Sequence, residues 1–264
     1  MSKEIQRYSC KDCNKKFSIN LGFEGMHASP QVITSAMQLY FTGESYRNIE
    51  KFLNLQGTKF SHVAIYEWIK KYVSLMDNYL QTITPKVGDK WHADEVWLKI
   101  NGDKKYLFAM MDHDTRFWIA QEVADSKFKH DAQNHLKKGK TLTKKIPSVF
   151  VTDGLPAYDD AFKKEFAPKN DFQKKSEHIK EIHFKNQRKN NNIEERLNGE
   201  FRDREKTFRG LKKDNSPAIA GIQLYHNYLR PHSSLNNDTP ATRAGVIIKG
   251  DNKWITIIQN AKKD

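Results

Sequence analysis

The apolar residues change period once along this chain, at the stretch Thr84-Pro85-Lys86-Val87-Gly88, so no fold built from one class of secondary structure can accommodate both sides. Upstream the spacing is helical. Ser29 can cap and Pro30 suits a first helical position, and Ile33, Ala36, Met37 and Tyr40 then recur on one face. A second short helix fits Tyr46 to Leu53, and Ser61 opens a third whose stripe is Ile65, Trp68, Ile69 and Tyr72. Downstream the pattern becomes strand-like: Trp91 to Ile100 is rich in aromatic and branched residues, followed by Lys105 to Met111 and Phe117 to Val123, with Asp112, Asp114 and Thr115 turning the chain between them.

A helix from about Lys127 to Leu136, a strand at Val149 to Thr152, a helix at Pro156 to Phe162 and a fifth strand at Ile182 to Phe184 continue this half. Gln187 to Asn192 reads as a loop entering another helix, which ends at Lys212 to Ser216 before a last helix from Ala218 to Tyr228. Lys137 to Lys145 reads as a basic loop, and Trp254 to Ile258 as a closing strand. The order predicts an α/β fold, a mixed sheet flanked by helices, preceded by a small all-α module. The segments divide as 1–28, 29–84, 85–245 and 246–264.

Three short helices suggest a helix-turn-helix, whose last helix would present His62, Tyr66 and Lys70 to a major groove; an ordinary helical bundle has the same pattern. Charge favours the first reading. Forty-five basic against 32 acidic residues leave +13, which predicts a polyanionic partner, with nucleic acid the leading candidate. Hydrophobic residues at 38% are enough for an ordinary core. No apolar run reaches the roughly 20 residues of a membrane span, and Met1 to Tyr8 lacks the apolar core of a signal peptide, so a cytoplasmic, nucleoid-associated protein is expected.

Cys10 and Cys13 supply two thiolates from one turn, half of a four-ligand zinc site, with His27 a third candidate. The other half would come from a partner copy or a further N-terminal segment, unless the ribbon has decayed.

Carboxylates carry the chemistry. Asp94 sits in an otherwise apolar strand, where an unpaired charge is costly. Asp153 follows a strand and precedes Gly154, at a carboxyl end where α/β sheets commonly build sites. Glu194 or Glu195, near the start of the helix that runs through Arg202 and Arg209, is the third. Such a set suits two magnesium or manganese ions, and two ions suit in-line displacement at phosphorus, the chemistry of nucleases and strand-transfer enzymes. No Gly-rich phosphate loop of the Walker type appears, which disfavours an ATPase.

Trp91-His-Ala-Asp-Glu, Val151-Thr-Asp-Gly-Leu-Pro-Ala-Tyr, the Asn-Asn before Ile-Glu-Glu-Arg, and Tyr228-Leu-Arg-Pro-His-Ser-Ser-Leu together resemble a DDE-type insertion-sequence transposase with a retroviral-integrase-like core. The chain is most similar to insertion-sequence family six and related archaeal elements. The resemblance implies an RNase H-like catalytic domain, magnesium dependence, recognition of terminal inverted repeats, and transfer of a 3′ hydroxyl end into target DNA. Pairing two DNA ends implies at least a dimer.

Counting the Asn-Asn-x-x-Glu pattern from Asn191 selects Glu195, and Gly199 and Arg202 then fall where similar transposases have a small and a basic residue. The catalytic and metal set is therefore Asp94, Asp153 and Glu195, with Arg202 a phosphate contact and Glu194 the alternative. His92, Asn192 and His232 are further candidates. Trp91 and Trp97 are expected to be core residues. A nuclease without strand transfer and a non-catalytic DNA-binding copy are the rival readings.

Overall fold

The computed structural model describes residues 8–17, 22–168, 176–180, 199, 201–204, 211–214 and 216–263. A two-stranded hairpin, β1 (Tyr8–Ser9) and β2 (Lys16–Phe17), carries the two cysteines in its loop. Three helices follow: α1 (Pro30–Thr42), α2 (Tyr46–Leu55) and α3 (His62–Leu80). Each starts the same way. Ser29, Ser45 and Ser61 accept from the amides of Val32, Asn48 and Ala64, satisfying a donor the helix cannot, worth about 1 kcal/mol apiece. The stripes expected of α1 and α3 are buried as expected, from Ile33 through Tyr40 and from Ile65 through Tyr72.

Beyond Gly88 a five-stranded sheet forms, ordered β5-β4-β3-β6-β7 from β3 (Lys90–Ile100), β4 (Asp103–Asp112), β5 (Trp118–Ala124), β6 (Val149–Thr152) and β7 (Glu177–Lys180). The first three strands are an antiparallel meander, and β6 and β7 join parallel to β3. Asn101 and Gly102 make the β3–β4 turn, both at positive φ (53° and 93°), as a two-residue hairpin of matching twist requires. Thr115 closes the next turn by donating its amide and hydroxyl to Asp112. The helices α4 (Lys129–Thr143) and α5 (Pro156–Glu165) pack on each other, and α4 lies against β4 and β5. This is the mixed sheet flanked by helices expected of an RNase H-like core, three antiparallel strands first and two parallel strands after.

Several expectations need correcting. Most of the basic stretch from Lys137 to Lys145 is not a loop: α4 runs on to Thr143, because Leu136, Gly139 and Thr143 turn inward from a helix whose outer face carries the lysines. A Cβ at Gly139 would lie 2.7 Å from Met110 Sδ, so this glycine permits close packing of α4 on β4. Trp254 to Ile258 is not a strand but part of a helix, Lys253–Lys263, since Trp254, Ile257 and Ile258 share one helical face. The fifth strand is Glu177–Lys180, whereas Ile182 to Phe184 lie outside the described residues.

Among the described residues the chain continues with α6 (Pro217–Leu224), α7 (Pro240–Arg243) and α8 (Lys253–Lys263); α6 and α8 both pack on α3. A π-helical turn, Tyr225–Leu229, extends α6. Its wide turn brings three consecutive residues, His226, Asn227 and Tyr228, into the interior. Asn227 meets the backbone of Trp118 at both atoms: Oδ1 accepts from the amide at 2.8 Å and Nδ2 donates to the carbonyl at 2.9 Å.

Gly221 lets α6 lie close against α1 and α3, because a Cβ there would lie 2.2 Å from Phe41 Cζ and 3.2 Å from Val73 Cγ2. Phe41 and Val73 are both buried and cannot swing aside. Gly221→Ala gains about 1 kcal/mol of helix propensity but overpacks a core at about 1–3 kcal/mol, for an expected net loss of about 1–2 kcal/mol. A lowered urea midpoint would show it; an unchanged or raised midpoint would mean that α1 and α6 separate easily.

Candidate functional site

Strand pairing brings the first two carboxylates together. β3 and β6 run parallel with Ala93 opposite Thr152, so the next residues on the two chains, Asp94 and Asp153, stand side by side where β6 ends. The turn after β6 fixes the second of them. Gly154, at φ 95°, donates its amide to Thr152 Oγ1, and Leu155 donates to Asp153 Oδ1 at 3.0 Å before Pro156 begins α5. Thr152 is itself held at 2.9 Å by His178 Nε2 from β7. Asp94 Oδ1 accepts from the Glu95 amide at 2.8 Å.

A third carboxylate, Glu95, joins this pair. One ligand oxygen each from Asp94, Glu95 and Asp153 lies within 4.8 Å of the others, and among the described residues this is the one group of three or more side chains able to hold a metal ion. Glu95 is buried, with Oε1 on Lys127 Nζ at 2.6 Å and Oε2 without a hydrogen-bond partner. Burial pushes its carboxyl up to about 7; the charges of Asp153 and Asp94 push the same way, and Lys127 opposes them. Three hard oxygen donors, one of them carrying an orphaned buried oxygen, suit a divalent cation. Sequence reasoning passed over Glu95 because it follows Asp94 directly, and alternation turns it toward the other face of the sheet. The available signal was a second carboxylate in the same apolar strand.

The remaining candidates are distributed as follows. Glu194, Glu195 and Asn192 lie outside the described residues. Arg202 is exposed in the helical segment 201–204, next to the buried Phe201. His92 is buried, stacked on His113 at 5.1 Å between ring centres, with Nε2 3.0 Å from His113 Nδ1. His232 packs edge-on against His226 in the turn after the π-helical residues, with its ring nitrogen 3.3 Å from the His226 carbonyl. Trp91 is core as expected, but Trp97 is not: 47% of it is exposed.

On α3, His62, Tyr66 and Lys70 form one row. His62 meets Glu50 of α2 at 3.0 Å, Tyr66 packs edge-on against Tyr46, and Lys70 lies 3.7 Å from Glu67. Tyr66 and Lys70 line a cleft of about 1670 Å³ shared with Lys137, Lys138, Lys212 and Lys213. In the N-terminal hairpin the Cys10 amide donates to Lys15 and the Cys10 carbonyl accepts from Asn14; the amides of Cys13 and Asp12 hold the Cys10 thiol below its usual pKa. His27 is exposed.

Parts of this chain are similar to known proteins. Residues 88–232 match the family model described as a DDE domain. Over 132 residues the chain is 28% identical to the transposase for insertion sequence-like element IS431mec of Staphylococcus aureus, covering 48% of this chain and 56% of that protein. The same figures hold for the transposase for insertion sequence element IS257 in transposon Tn4003 of Staphylococcus aureus. The chain thus spans a little over half the length of these relatives. Among solved structures, the HTLV-2 integrase catalytic core domain in complex with magnesium is similar at a TM-score of 0.44 and 16% identity, covering 61% of this chain and 98% of that one.

Proposed function

The chain belongs to the DDE domain family, and from that premise we propose that it is a DNA transposase that cuts at the terminal inverted repeats of an element and joins the cut end to target DNA. The observation that carries the reading is the juxtaposition of Asp94 and Asp153 just past the last β3–β6 pair, in a cluster with an orphaned carboxylate oxygen. Asp94 and Asp153, with Glu195 as the third member, would hold two divalent ions, magnesium or manganese, which when bound supply charge stabilisation for displacement at phosphorus.

The chain's own groups do the rest. The turn from Thr152 to Leu155 orients Asp153 through backbone donors, and Lys127 neutralises Glu95 beneath the pair. Arg202 contacts a phosphate of the bound end. The row His62, Tyr66 and Lys70 reads the repeat, and the +13 charge supplies salt-sensitive attraction to the duplex. Two copies at least assemble when two ends are paired.

Product analysis tests this. The purified chain is incubated with magnesium, a duplex carrying the inverted repeats that flank its gene, and a plasmid target. Joined products on a denaturing gel are expected. Cleavage without joining would leave a plain nuclease, and binding with neither would leave a non-catalytic DNA-binding protein.

A further inference from the structure

Trp97 stands three residues beyond Asp94 on β3, past the last β3–β6 pair, and faces Tyr106 across the hairpin. It is unusual in this chain. Of the five tryptophans, Trp68, Trp91, Trp118 and Trp254 are 6% exposed or less, whereas Trp97 shows 47% of its surface. Nothing in the core requires a large ring there, and an exposed indole in a strand needs another reason. Its surroundings are cationic and aromatic. Lys104 Nζ lies 5.9 Å from the Trp97 ring and 5.5 Å from the Tyr106 ring, Lys127 Nζ lies 5.1 Å from the Tyr106 ring, and the adjacent Phe128 is 67% exposed. Lys127 is the lysine that also reaches Glu95, so this strip is continuous with the carboxylate cluster.

We propose that Trp97 is a stacking platform for an unpaired base of the DNA strand engaged at Asp94 and Asp153, with Lys104 meeting an adjacent phosphate. The proposal rests on the DNA-processing reading above. By alternation Trp97 shares the face of Glu95, two residues or about 7 Å along the strand, and Glu95 is a member of the carboxylate cluster, so a base on Trp97 would lie a few nucleotides from a phosphate held there. An exposed π-face beside lysines suits single-stranded nucleic acid, since bases of any identity can stack while cations follow the backbone. A paired base offers no open face to such a ring.

Tryptophan emission of the full chain reads this directly, because Trp97 is the tryptophan a ligand can touch. Titration with a short single-stranded oligothymidylate is expected to quench saturably, by up to about one tryptophan's share of the emission, while a blunt duplex that binds does not. Anisotropy of a labelled copy of each DNA measures binding in parallel. Trp97→Phe should bind the oligothymidylate as before without quenching, and Trp97→Ala should bind it about tenfold or more weakly, with its thermal melting unchanged. If anisotropy rises but emission does not move, or Trp97→Phe quenches equally, the stacking role is overturned while DNA binding stands. Equal quenching by the blunt duplex also overturns it, as does an emission shift that follows protein concentration without DNA, which would make Trp97 a contact between copies. No anisotropy change with either DNA would remove the DNA reading itself.

Discussion

Asp153→Asn is expected to leave the fold and DNA binding intact and to lower strand cleavage and joining by at least about 10³-fold. The loss follows from several kcal/mol of charge stabilisation at about 1.4 kcal/mol per tenfold. The fold survives because Asp153 is exposed and its bond from the Leu155 amide can be accepted equally by an asparagine oxygen. Asp94→Asn should behave alike, keeping the bond from the Glu95 amide. Removing one negative charge beside Glu95 should also ease that carboxyl's ionisation, because Asp153 is among the groups raising it. Gel assays of cleaved and joined products with magnesium give the readout, with a filter-binding control for DNA. Near-normal cleavage by Asp153→Asn would remove the central member of the proposed site.

The second large effect concerns acid stability. His135 is fully buried in α4, with its ring 5.9 Å from that of Phe108. Burial pushes its pKa down to about 3 from an ordinary 6.5, Lys138 adds to the shift, and the Ala109 backbone opposes it. The folded chain therefore keeps His135 neutral where the unfolded chain protonates it. Its contribution is fully present above pH 6.5 and is lost as pH falls toward 3, by about 1.4 kcal/mol per pH unit in that window. Glu95 runs the other way: its raised pKa makes the fold lose stability as pH climbs from 4.5 toward 7. Comparing the native chain with His135→Leu cancels that term. The two should agree within about 1 kcal/mol at pH 7, and at pH 4.5 the variant should be more stable by roughly 2–3 kcal/mol. Urea midpoints at the two pH values decide it, and parallel midpoints would mean that His135 protonates without leaving the core.

Local signals with a one-to-one physical meaning were legible. Ser29 and Ser61 cap the helices they were expected to cap, and Asp94 and Asp153 meet because each lies at a readable point of its strand. What failed was inference from composition alone. Five lysines from Lys137 to Lys145 suggested solvent on all sides, yet burial of Leu136, Gly139 and Thr143 on the opposite face holds a helix there. Trp254 to Ile258 looked strand-like by residue type, while the spacing of its buried members was helical. Trp97 reads as core because it is an aromatic in a strand, yet alternation puts it on the face opposite the buried Val96, Leu98 and Ile100 and leaves it in the open. Glu95 was invisible beside Asp94 because tertiary packing, through Lys127, gives it its role. The choice between Glu194 and Glu195 falls outside the described residues and rests on the register of the asparagines.

The amide of Asn227 also bears on how copies of this chain can meet. β5 is the outer strand of the sheet, and an outer strand ordinarily offers its backbone to any passing chain. Here both hydrogen-bonding groups of Trp118 are taken by Asn227, the same carbonyl also accepts from Gln223, and Gln121 reaches back to the Ile219 carbonyl. At Trp118 that border of the sheet is closed by side chains, so a second copy could not extend the sheet by pairing with the backbone of that residue.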